Sequence, residues 1–130
     1  MVLAGMSALH TMWGLGSSFP FRDHATLADT VAGTRDVPQP RDCFAVAGLL
    51  LTSAALVSVA LPLQADVRRV GAVGVATVLG GRGVLGMARR TAMVVPWTPS
   101  ERFVRLDQHY YGPLCLALAT GAAISATTRQ

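Results

Sequence analysis

His10 and Arg82 are ionisable side chains set inside long apolar runs. Burying such a group in a membrane is costly, so each is a functional candidate by default. Their chemistries are complementary. An imidazole exchanges protons near neutral pH, and a guanidinium presents fixed donors to an anion or a carbonyl. Arg82 also needs a counter-charge. Asp107, Asp42 and Asp23 are the candidates, and all three lie just outside apolar runs, at the same end as Tyr110 and Tyr111. The sharpest reading is a polar pocket of His10, Arg82, Asp107 and Tyr111, with Trp13 in its wall. In it His10 acts as acid or base and Arg82 holds an anionic or carbonyl group. The plainer reading stands beside it. Arg82 snorkels to headgroups or clamps two helices through Asp107, and His10 only hydrogen-bonds a neighbouring helix.

The elements that would carry these residues follow from composition. The chain has 130 residues, of which 52% are hydrophobic and 14% charged. Soluble domains carry about 25% charged residues. The mean hydropathy is +0.45. These values argue against a soluble enzyme, a disordered tail and a nucleic-acid module, and leave a small integral membrane protein. The basic charge is all arginine, without lysine, and there is no asparagine, as high-GC coding produces. The net charge of +4 is explained by headgroups and topology, so no nucleic-acid partner is expected.

A spanning helix needs about 20 mostly apolar residues. Four stretches qualify: 1–20, 43–63, 70–88 and 110–128. The fold class expected is therefore all-α, a single-domain integral membrane four-helix bundle, antiparallel in sequence order, with short amphipathic helices in the two long loops. The first stretch lacks the basic flank and cleavage site of a signal peptide and is read as a span. Residues 64–69 form the short connection on side A, which also holds both termini. The two long loops share side B.

In the first long loop, residues 23–32 read as a short helix with Asp23 as N-cap and Gly33 just past its end. Asp42 is placed to cap the second span. In the second, Thr98-Pro99-Ser100-Glu101 reads as a capping box, and the helix it opens puts Phe103, Leu106 and Tyr110 on one face. His10 then lies roughly 15 Å, and Arg82 roughly 10 Å, from the side-B end. Stripes of small residues mark packing faces: Ser7, His10, Gly14 and Ser17; Gly71, Gly74 and Gly81; Cys115, Ala119 and Ala123. Side B carries most of the arginines, but Arg68-Arg69 is the denser signal, so orientation stays open.

Other chemistries find less support. Gly80-Gly81-Arg82-Gly83 lacks the lysine of a nucleotide loop. Cys43 and Cys115 are too few and wrongly spaced for zinc, though both lie near side B, where an oxidising compartment would let them pair. Met6 and His10 share a face, a weak copper arrangement. No second histidine lies in a span to complete a haem. No metal and no cofactor is expected.

One resemblance runs through these motifs. His10-x-x-Trp13, Gly16-Ser17-Ser18-Phe19-Pro20 and Cys43-Phe44-Ala45-Val46-Ala47-Gly48 come first. Arg82-Gly83-x-x-Gly86, Phe103-x-Arg105-Leu106-Asp107 and Tyr111-x-Pro113-Leu114-Cys115 follow. In order and spacing they resemble the small bacterial membrane proteins catalogued as domain of unknown function 3995, common in actinobacteria. The resemblance covers nearly the whole chain, with Phe19 where a tryptophan is expected and Gly112 where a serine is. It implies a four-span membrane protein and no activity, and singles out His10, Trp13, Arg82, Asp107 and Tyr111.

The expected function is that of a small polytopic protein of the bacterial cytoplasmic membrane, a non-catalytic component. Its partners would be membrane lipids, a second copy or another membrane protein. The alternative is a membrane enzyme or lipophile-binding protein that uses the His10/Arg82/Asp107 pocket for a lipophilic small molecule.

Overall fold

A computed structural model describes residues 1–58 and 62–128. Among them the chain is all-helical, with no strand. In order the elements are α1 (Val2–Gly14), α2 (His24–Val31), α3 (Pro40–Val57) and α4 (Ala65–Met87), then a 3₁₀ turn (Thr91–Met93). After this come α5 (Glu101–Leu106), a π-helical turn (Asp107–Tyr111) and α6 (Gly112–Thr127).

The helix ends differ from the apolar runs for identifiable reasons. α1 stops at Gly14, six residues short of the expected 20. Gly16 takes φ +93° there, and the N–H groups of Gly16 and Ser17 bond back to the carbonyls of Trp13 and Met12. Such a left-handed cap closes a helix whatever the hydropathy beyond it. His10 is consequently four residues from its helix end, about 6 Å rather than 15 Å. α3 starts earlier than expected, because Pro40 suits the first helical position. Gln39 is therefore its N-cap, and Asp42 sits inside the first turn instead of capping it. α4 begins at Ala65, so Arg68 and Arg69 belong to its first turns and not to a connecting loop. The end of the expected run 43–63 includes residues 59–61, outside the described residues.

α4 closes with the same backbone motif as α1. The N–H groups of Arg89 and Arg90 bond to the carbonyls of Gly86 and Leu85, and Arg89 takes φ 58° where glycine is usual. This reversal sends the chain into the 3₁₀ turn that carries Thr91.

The four longer helices pack in the order α1, α3, α4, α6. Ser7 Oγ donates to the Ala47 carbonyl at 2.8 Å, and Gly14 faces the Phe44 ring, so α1 and α3 run antiparallel. On α4, a methyl at Gly83 would lie 2.7 Å from Leu116 and 2.9 Å from the Gly112 carbonyl, while Gly80 faces Ala119. α4 and α6 are thus antiparallel and close. The expected stripe of Gly71, Gly74 and Gly81 is only partly a packing face. A methyl at Gly71 would meet Leu56, but one at Gly74 or Gly81 would meet nothing within 4 Å among the described residues. Likewise Ala122, not Ala123, is buried on α6.

Side chains in the core are mostly small: Ala28, Cys43, Ala47, Ala72, Ala119 and Ala122 are buried. Large apolar residues such as Leu49, Leu51, Val70, Val78 and Ile124 point outward. α3 and α4 are long and apolar enough to cross a membrane, and only 11% and 22% of their most apolar windows are buried. A core helix of a soluble protein would be mostly covered.

Candidate functional site

The site begins with a buried carboxylate. Asp107 opens the π-turn and has no solvent exposure. Arg82 reaches it from α4 with both terminal nitrogens: Nη1 donates to Oδ2 at 3.1 Å, and Nη2 lies 2.9 Å from Oδ1. The Thr91 hydroxyl donates to Oδ2 from the 3₁₀ turn. Of the three acids that could neutralise Arg82, Asp107 does so. A two-point contact of this kind is strong and fixes geometry.

The Arg82-Gly83-x-x-Gly86 motif explains how the pair fits. Gly86 lies one turn after Arg82 on the same face. A methyl there would fall 2.7 Å from Asp107 Oδ1 and 2.9 Å from Arg82 Nη1. Gly83 lets α6 approach, and Gly86 leaves the space the ion pair occupies.

The π-turn sets what α5 and α6 present. Pro113 has no N–H to give and crowds the preceding turn, and the Gly112 N–H bonds to the Asp107 carbonyl across the wider ring. One extra residue is accommodated. In a straight α-helix Phe103 would share its face with Tyr110, as expected above. Instead Tyr110 is exposed, and Phe103 packs on Tyr111 with ring centroids 5.9 Å apart.

The two long loops are tied to one another. Trp97 Nε1 donates to the Ala32 carbonyl at 3.0 Å, Ser100 N to the Gly33 carbonyl at 2.8 Å, and Tyr111 Oη to the Thr30 carbonyl at 3.0 Å. Gly33 has φ 69°, and a methyl there would overlap Phe103 at 2.7 Å. Ser100, not Thr98, caps α5, accepting from Phe103 N, because its backbone is already fixed on Gly33. Asp23 caps α2 as the sequence indicates, accepting from Thr26 N at 2.7 Å. That N–H holds the Asp23 carboxyl below the usual carboxylate range.

Beneath these loops lies a partly open cavity of about 260 Å³. His10 and Arg82 both line it, with Trp13, Trp97, Phe103 and Val46 as apolar wall and Asp42 and Cys43 from the start of α3. His10 Nδ1 is 2.8 Å from the Met6 carbonyl, and its ring lies 4.7 Å from that of Trp13. Two expected members are absent from the lining. Asp107 is sealed behind Arg82, and Tyr111 is turned to α2. Both support the wall from outside. Trp97 is the member the sequence reading missed. Its only signal was an indole between two prolines, Pro96 and Pro99, in a loop.

His24 and His109 are exposed and bond to the carbonyls of Gly16 and Arg105. Cys43 and Cys115 are both free thiols.

These features define an all-helical protein with two outward-facing apolar helices and a cavity at the loop end, braced by a buried ion pair. The chain belongs to the family described as protein of unknown function DUF3995, whose model matches residues 3–122. The match takes in His10, Trp13, Arg82, Asp107 and Tyr111. No curated protein and no solved structure matches the chain.

Proposed function

We propose that this is a non-catalytic four-span protein of the bacterial cytoplasmic membrane that holds a small lipophilic molecule in the His10/Arg82 cavity. α3 and α4 expose their apolar surface, which lipid would cover. α1 and α6 are shorter, at 13 and 16 residues, but pack along them and carry no charge. Membrane lipids are then the first partners.

The observation that carries the binding reading is the cavity itself. Aromatic and aliphatic walls with a few convergent polar groups are the composition of small-molecule sites. The non-catalytic reading rests on Arg82. Its guanidinium is committed to Asp107 and serves first to position the wall.

Native extraction followed by mass spectrometry of co-purifying small molecules tests this. A compound should be enriched over bulk lipid, and should be lost from Val95→Trp, because Val95 also lines the cavity and an indole there would crowd it. A folded wild-type protein with nothing enriched, or equal enrichment in the blocked variant, rules the reading out.

A further inference from the structure

Apart from the Cys43 thiol and the Asp42 carboxylate at the start of α3, the polar side chains of the cavity can be taken one at a time, and together they restrict what fits. A backbone carbonyl only accepts, so the contact between His10 Nδ1 and the Met6 carbonyl at 2.8 Å requires the proton on Nδ1. The neutral ring is then a fixed tautomer, and Nε2 is a lone-pair acceptor with no partner among the described residues. The indoles offer nothing polar: Trp13 Nε1 donates to the Phe19 carbonyl at 2.7 Å and Trp97 Nε1 to the Ala32 carbonyl at 3.0 Å. The Thr91 hydroxyl proton is committed to Asp107. Arg82 spends one edge of its guanidinium on Asp107, and its side chain keeps 30% exposure. Its remaining N–H groups are donors.

Charge narrows the choice further. Asp107 neutralises Arg82, and Asp42, at the mouth, has Arg41 at 3.6 Å. An anion entering the cavity would meet no uncompensated cation, and desolvating it would be expensive.

Resting on the cavity reading above, we infer that the ligand class is a neutral, ring-bearing lipophile that carries both a hydroxyl and a carbonyl. The hydroxyl donates to His10 Nε2, the carbonyl accepts from Arg82, and the ring lies among Trp13, Trp97 and Phe103.

Benzophenones test this, because they can be varied at each end and photo-crosslink where they bind; para-benzylphenol, with a methylene in place of the ketone, does not crosslink and is placed by competition with them. Binding to the purified full chain in lipid nanodiscs is compared for para-hydroxybenzophenone, para-methoxybenzophenone, para-benzylphenol and para-benzoylbenzoate. The first should bind roughly fivefold or more tighter than the second and third, the size of a lost hydrogen bond to a buried group. Benzoylbenzoate should be weakest. His10→Phe should erase the preference for hydroxyl over methoxy, read as the ratio of the two affinities in that variant, and crosslinks should fall on cavity residues. Equal binding of the three neutral probes, with the two benzophenones crosslinked in the cavity and para-benzylphenol competing for the same site, overturns the donor–acceptor inference and leaves the cavity reading standing. Tightest binding of benzoylbenzoate overturns it in favour of an anion seat at Arg82. No saturable binding by any probe, with no crosslink in the cavity, overturns both.

Discussion

Arg82 holds Asp107 by both terminal nitrogens, at 3.1 Å and 2.9 Å, and the carboxylate it holds is fully buried. Removing either partner strands a charge. Asp107→Leu and Arg82→Gln should each cost about 3–5 kcal/mol, whereas Arg82→Met combined with Asp107→Leu should cost less than either alone. Thermal unfolding in detergent, followed by circular dichroism, measures all three. A double variant as unstable as the two single losses combined would contradict the pairing.

Gly86 and Gly74 lie on one helix but should respond oppositely to a methyl. Gly86→Ala drives a carbon to 2.7 Å from Asp107 Oδ1 and should destabilise by about 1–3 kcal/mol. Gly74→Ala meets nothing within 4 Å and should be neutral or stabilising by up to about 1 kcal/mol. The same unfolding assay ranks them, and equal effects would show that the space beside the ion pair is unimportant.

The two left-handed caps make a matched pair. Gly16→Ala introduces a side chain at φ +93° and should cost about 1 kcal/mol. Arg89→Gly relieves φ 58° and should gain up to about 1 kcal/mol, less whatever its exposed pair with Glu101 contributes. A loss of stability in Arg89→Gly would mean that the side chain matters more than the backbone.

The Asp23 cap gives a pH dependence with a definite sign. Its carboxyl is lowered in the folded state, so its contribution is full above the unfolded carboxylate pKa of about 3.9. It is lost as pH falls through the lower folded value. Hydrogen exchange at Thr26 should be faster in Asp23→Ala than in the wild type at neutral pH, and the two should converge in acid. A difference that persists undiminished in acid would assign the protection to another group.

The partner of Arg82 is legible in the sequence because charge is scarce. With seven acidic side chains in the chain and most of them outside the long apolar runs, few can reach an arginine inside one. The α2 helix is equally legible, since Asp23 and Gly33 are local signals with local causes. The faces of α5 and α6 are not. Periodicity assumes α geometry throughout, and the π-turn at Asp107–Tyr111 shifts the phase by one residue, exchanging Tyr110 for Tyr111. Hydropathy does not mark the end of α1, because it continues past Gly14 while the helical backbone does not. Trp97 is not legible as a cavity residue, because its place there depends on a hydrogen bond to Ala32, which only the folded loops bring near.

The π-turn has one further consequence. It stores a single residue beyond what an α-helix would hold, and the segments on either side keep their own faces. Deleting Gln108 would let the turn relax to α geometry with Phe103 and Tyr111 still aligned. The longest continuous helical stretch among the described residues, 101–127, therefore contains one joint where its length can change without turning either end out of register, directly beside the buried carboxylate that Arg82 holds.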